Sequence, residues 1–201
     1  FGGLVLVLIA STLELPPLRM SGFALMLAAW CAVTLRWARL VIQSQVKDKR
    51  HPQALLLAMT GGVLAIFSAF LWSAGLSDAW IAARQFAFFA FLLPVFLTVC
   101  HRMLPFFSSN VIKPYTMWRP YCLLATWIAA CWGLAIAGIF GAHVIEALIA
   151  SLLSLSFANT SWRWGLFRSL QNRLLAMLHL SFAWLAIVFA LQAASAFGAQ
   201  I

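Results

Sequence analysis

Three stretches of this chain, 53–77, 120–145 and 174–201, contain no Asp, Glu, Lys or Arg. Two more charge-free runs lie between Arg19 and Arg36 and between Arg84 and Arg102. An apolar run of roughly 18 or more residues is long enough to cross the hydrocarbon core of a bilayer as a helix. The composition agrees: 65% of residues are hydrophobic and 8% charged, with a mean hydropathy of +0.99. A water-soluble domain of 201 residues does not carry that balance. The fold class is therefore all-α, a polytopic transmembrane helical bundle of about seven membrane helices, near 1–14, 20–43, 53–75, 79–104, 119–141, 142–158 and 172–196.

The formal net charge of +9 invites a nucleic-acid reading, but the positions of the charges argue against it. Segment 36–50 holds Arg36, Arg39, Lys47, Lys49 and Arg50. Segment 102–119 holds Arg102, Lys113 and Arg119, and segment 159–173 holds Arg163, Arg168 and Arg173. These eleven of the thirteen basic residues fall on alternate connections, while the opposite ones hold Arg19 and Arg84 with Glu14, Asp78 and Glu146. That is the positive-inside pattern, since cytoplasmic loops retain Lys and Arg. The expected partner is a lipid bilayer and not nucleic acid. Phe1 is expected on the cytoplasmic side and Ile201 on the outside.

The chain begins FGGLVLVLIASTLELPP and ends AASAFGAQI. The residues ahead of Glu14 span about 20 Å as a helix, short of a hydrocarbon core of roughly 30 Å. The first helix reads as truncated, and residues 1–201 as a single transmembrane domain from within a larger polytopic protein. The four cysteines, Cys31, Cys100, Cys122 and Cys131, fall inside or at the cytoplasmic ends of helices, where free thiols are expected. Pro52 is expected to open the third helix and Pro94 to kink the fourth. Pro105, Pro114 and Pro120 are expected to stiffen the connection that follows. No phosphate-binding glycine loop, HExxH or Ser/His/Asp arrangement is present, so catalysis by polar side chains has no support.

Two histidines stand on faces of small residues. Back from His101 at helical spacing come Thr98, Pro94, Ala90, Ala87 and Ala83. Sharing a face with His179 are Asn172, Ala176, Ala183, Ala186, Ala190 and Ala193. Such stripes let a neighbouring helix backbone approach closely. A flat ligand such as a haem needs the same smooth wall, and a neutral imidazole supplies an iron ligand. Both readings stand at this level.

Other polar residues divide the same way. His143 and Glu146, at i and i+3 near an outer helix end, are placed to share a hydrogen bond. Cys100 and Met103 are soft donors of the kind that suits Cu(I), though two ligands are not a site. His51, between Arg50 and Pro52, reads as a solvated loop residue. Arg102, Arg119, Arg163 and Arg168 suffice as topological anchors. A haem against His101 or His179 would also place its propionates among them, and arginine forks fit carboxylates. His179 lies only about 10 Å past Arg173 along the helix axis.

HRMLPFFSSN, after a long apolar helix and before MWRPYCLL, resembles the (G/H)R-(I/V/M)-(I/L)-PFF-T-x-N element of the NnrS family. Downstream, WRWGLFRSLQNRLLAMLHLSFAWLAI resembles that family's WR…R…P-L-L-W-x-L-H-L-(G/S)-Y-A-W stretch. Trp162, Arg163, Arg168, Leu174, Leu175, Leu178, His179, Leu180, Ala183 and Trp184 stand at matching positions. Phe182 replaces the family's usual tyrosine, and Asn172 stands where a proline is common. The family's W-H-x-H-E-M and H-…-G-H-T-G-R elements would lie before Phe1 and after Ile201.

The resemblance implies a multi-pass bacterial inner-membrane protein that carries haem and copper and takes part in denitrification and the response to nitric oxide. Within that reading His179 is the first candidate metal ligand and His101 the second, while the soft donors Cys100 and Met103 stay candidate metal donors and Arg102 and Arg163 candidate cofactor-binding cations. The function expected on that basis is protection against nitrosative stress, with nitric oxide as the small-molecule ligand bound at haem iron. A secondary transporter or channel built on Pro94, Gly61-Gly62 and the His143/Glu146 pair is the alternative. A structural subunit of a respiratory assembly is a third.

Overall fold

The computed structural model describes residues 1–198. The expected end of the last helix in AASAFGAQI extends to 199–201, outside the described residues. Among the described residues there are helices and no strands. In chain order they are α1 (Gly2–Thr12), α2 (Pro16–Gln43), α3 (Arg50–Ser73), α4 (Ala79–Val111), α5 (Tyr121–Phe140), α6 (His143–Arg163), the single turn α7 (Leu166–Ser169) and α8 (Arg173–Gly198). Six of them, α2 to α6 and α8, are long and apolar enough to cross a membrane. The seventh apolar helix, α1, is about 16 Å long at 1.5 Å per residue, less than the ~30 Å hydrocarbon core.

Four boundaries differ from expectation, the first being that α2 starts at Pro16 and not near residue 20. The helix α3 starts at Arg50, so that Pro52 lies within its first turn and not at its first residue. The first four backbone N–H groups of a helix have no partner inside it, so a proline there removes nothing the helix needs. His51 is consequently a buried helix residue, 8% exposed, and not a solvated loop residue. The helix α4 runs through Pro105 to Val111, and α6 continues to Arg163.

The chain divides into two compact units, Phe1–Val95 and Phe96–Ile201. In the first, backbones approach at glycines. A Cβ on Gly3 would lie 2.8 Å from the Gly22 carbonyl, and one on Gly22 would lie 2.9 Å from the Gly3 carbonyl, so α1 and α2 cross there in near contact. The α2–α3 pair is fastened by two indoles a heptad apart. Trp30 Nε1 donates to the Met59 carbonyl at 3.1 Å, and Trp37 Nε1 donates to the Pro52 carbonyl at 3.2 Å. Trp30 reaches its acceptor across Gly62, where a Cβ would meet the indole nitrogen at 2.6 Å.

Between Phe86 and Leu92, α4 widens into a π-helical segment, with Leu93 N–H donating to the Phe88 carbonyl five residues back. Pro94 follows directly. Its ring has no N–H and would clash with the carbonyl four residues earlier, that of Ala90, and a wider register takes up that strain. The Ala90 carbonyl packs against Gly61 so closely that any Cβ there would overlap it. Cα–H···O contacts of this kind suit helices that lack side chains at the crossing.

The second unit is built on an aromatic column. Trp127 of α5, Phe157 of α6, Trp164 and Phe182 and Phe189 of α8 stack with ring centroids 5.0–5.8 Å apart. Trp127 Nε1 donates to Ser156 Oγ at 2.8 Å, so the column's polar edge is satisfied within α5 and α6. The small-residue stripe of α8 receives α6 closely enough for Ser154 Oγ to donate to the Ala186 carbonyl at 2.8 Å. Two turns need glycine. Gly141 (φ 64°) joins α5 to α6, and Gly165 (φ 91°) reverses the chain after Trp164.

Candidate functional site

The two sequence motifs meet inside the second unit. Ser108, in the last turns of α4, lies 2.8 Å by its hydroxyl from His179 Nε2 of α8, a link between residues 71 apart in sequence. Both side chains are fully buried. The other ring nitrogen of His179, Nδ1, is buried and has no hydrogen-bond partner among the described residues. Tyr115 enters from the connection after α4, and its buried hydroxyl makes no well-formed hydrogen bond among the described residues. Burial pushes the Tyr115 hydroxyl above its ordinary pKa, against a smaller opposing pull from Ser108.

His101 occupies a different place. It too is fully buried, but its Nε2 is 3.2 Å from the Pro120 carbonyl, and its ring lies 5.9 to 6.4 Å from those of Tyr121, Trp127 and Trp164. Trp164 Nε1 donates to the Trp118 carbonyl at 2.9 Å. The MWRPY segment that leads into α5 is thus pinned at two backbone carbonyls, by His101 and by Trp164. Arg163 lies across the Trp118 ring at 4.8 Å from its centroid, and its Nε donates to Asn159 Oδ1 at 3.4 Å. Arg163 is exposed, and so is Arg102.

The remaining candidates lie apart from this cluster in character. Cys100 is 6% exposed and Met103 40%, so the two soft donors see different surroundings although they are three residues apart. Among the described residues no three His, Cys, Asp or Glu side chains gather closely enough to hold a metal ion. His143 Nδ1 and Glu146 Oε2 do pair, at 3.1 Å, in the first turn of α6, with His143 about half exposed.

Ser108, Trp164 and Tyr115 are absent from the sequence-level set. Ser108 had a readable signal: it lies seven residues after His101, on the continuation of the buried Thr98–His101–Pro105 stripe. That continuation shows only when α4 is carried through Pro105.

The chain matches the family model described as NnrS protein over residues 1–201. It belongs to the NnrS family. No curated protein and no solved structure matches it. With six helices able to span a bilayer, this NnrS chain is a multi-pass membrane protein, and its family supports a part in the nitric oxide response.

The NnrS family is associated with haem and copper, and the residues here differ in how they suit the two. His179 has an unspent ring nitrogen in a fully buried setting, which suits a haem ligand. The soft donors proposed for copper differ in burial, Cys100 being 6% exposed and Met103 40%.

Proposed function

We propose that this NnrS protein binds nitric oxide at a haem held through His179, in a bacterial inner membrane. The observation that carries the reading is the buried, unpartnered Nδ1 of His179 beside an engaged Nε2. In the tautomer that donates Nε2–H to Ser108, Nδ1 keeps its lone pair for a metal. A ligating histidine ordinarily gives its other N–H to an oriented acceptor of this kind. When bound, the haem iron supplies a centre for a diatomic ligand.

The chain's own residues do the rest. Ser108 fixes the imidazole's tautomer and direction, and the full burial of the ring keeps water from it. Arg163, held over Trp118, and Arg102 would be the cations to receive the carboxylates of the group. His101 is assigned to holding the Pro120 carbonyl, with ligation left to His179. The transporter alternative has less behind it, because the His143–Glu146 pair sits at a helix end with His143 half exposed.

The test is optical. The intact purified protein is expected to show a Soret band that shifts on addition of nitric oxide. His179→Ala is expected to lose most of that band and His101→Ala to keep most of it. Full haem content in His179→Ala, or a colourless intact protein after haem supplementation, overturns the reading.

A further inference from the structure

A cavity of about 510 Å³ opens where the end of α4 and the connection after it face the segment leading into α8. Its polar wall is made by Asn110, Lys113, Arg168, Gln171 and Asn172. Among the described residues the side chains of Asn110, Lys113, Arg168 and Gln171 make no hydrogen bond or ion pair. Asn172 spends only its carbonyl oxygen, which accepts the Leu175 N–H at 3.2 Å and caps α8, so its amide N–H groups remain for the cavity. The wall is therefore two cations and three side-chain amides with unused donors.

Among the described residues no carboxylate side chain lines the cavity. The chain's four acidic residues are Glu14, Asp48, Asp78 and Glu146. Only Glu146 lies in the second unit, where it pairs with His143. Lys113 and Arg168 thus share a cavity with no carboxylate in it. Two uncompensated cations in one cavity raise the local potential and favour an anion from outside. Both segments adjoin the ends of membrane-spanning helices, the depth at which lipid phosphates lie. A guanidinium fork matches two phosphate oxygens, while lysine adds a point charge and amides complete the set.

We infer that this cavity is a phosphate site, taking either the headgroup of an anionic phospholipid or free phosphate. It stands independently of the haem reading, since none of its residues touches His179 by any bond described above.

The full-length protein, purified into nanodiscs of phosphatidylcholine with or without phosphatidylglycerol, separates the two sources. Native mass spectrometry counts retained phosphatidylglycerol, and calorimetry with inorganic phosphate measures the free anion. Either phosphatidylglycerol retention or phosphate affinity is expected to fall about tenfold in the Lys113→Gln, Arg168→Gln double variant. Loss of retained lipid assigns the headgroup, and loss of phosphate binding alone assigns the free anion. Arg168→Lys keeps the charge without the fork and is expected to fall severalfold, which keeps the test open should the double variant not fold. Three results overturn the site. These are no binding of either probe by the wild type, unchanged binding in both cavity variants, or an equal loss in an Arg36→Gln, Arg39→Gln control outside the cavity.

Discussion

At the scale of single residues, the buried hydroxyl of Ser108 is the part of the site that most depends on its neighbour. His179 has no other hydrogen-bond partner among the described residues, and its ring is fully enclosed. Ser108→Ala leaves Nε2 of His179 buried without a partner, a desolvation penalty of about 1–3 kcal/mol. The expected result is a lower thermal midpoint in detergent, together with partial loss of the Soret band. Ser108→Thr keeps the hydroxyl and should recover both. A Ser108→Ala protein as stable as the parent would show that the hydroxyl does not hold the ring. The histidines themselves were legible in sequence, because imidazoles on faces of small residues are conspicuous in a chain this apolar. Their separate environments were not. Only the tertiary structure puts a backbone carbonyl at His101 and a serine hydroxyl at His179.

At the scale of elements, α2 and α3 meet through few strong groups. Apolar side chains gain little by leaving lipid for a helix interface, so close packing and interhelical hydrogen bonds carry more of the association. Trp30 and Trp37 each give one indole N–H to a carbonyl of α3. Replacing either with Phe is expected to cost about 0.5–1.5 kcal/mol. The two sites are roughly 10 Å apart along the helix, so the double variant should lose close to the sum. Denaturant titration of the four proteins measures it, and a double variant no worse than the worse single would show the indoles act as one. The helices themselves were readable from the apolar runs, since a bilayer demands a minimum length that a sequence displays directly. Their detailed register was not readable. Pro94 marks the π segment but does not specify it, and Pro105 looks like a terminator although α4 continues past it. Inside a membrane, neighbouring groups and local changes of register compensate a proline that would end a helix in water. His51 is helical and buried for a related reason: a first-turn proline leaves room for helix ahead of it.

At the scale of the whole chain, the thirteen basic residues outnumber the four acidic ones, and their placement matters more than their total. Lys47 follows α2 and Lys113 follows α4, so two helices long and apolar enough to cross the bilayer, α3 and α4, lie between them. An even number of crossings returns the chain to the side it left. Translocating a loop rich in Lys and Arg is opposed during insertion, and on that ground we propose that this side is the cytoplasm. The chain's lysines are Lys47, Lys49 and Lys113, so amine chemistry reads these loops without interference from other side chains. A membrane-impermeant amine reagent is expected to modify all three in inverted vesicles and to spare them in intact spheroplasts, with peptide mass spectrometry locating each product. Modification of Lys47 and Lys113 from opposite sides would require an odd number of crossings between them. Either α3 or α4 would then fail to span.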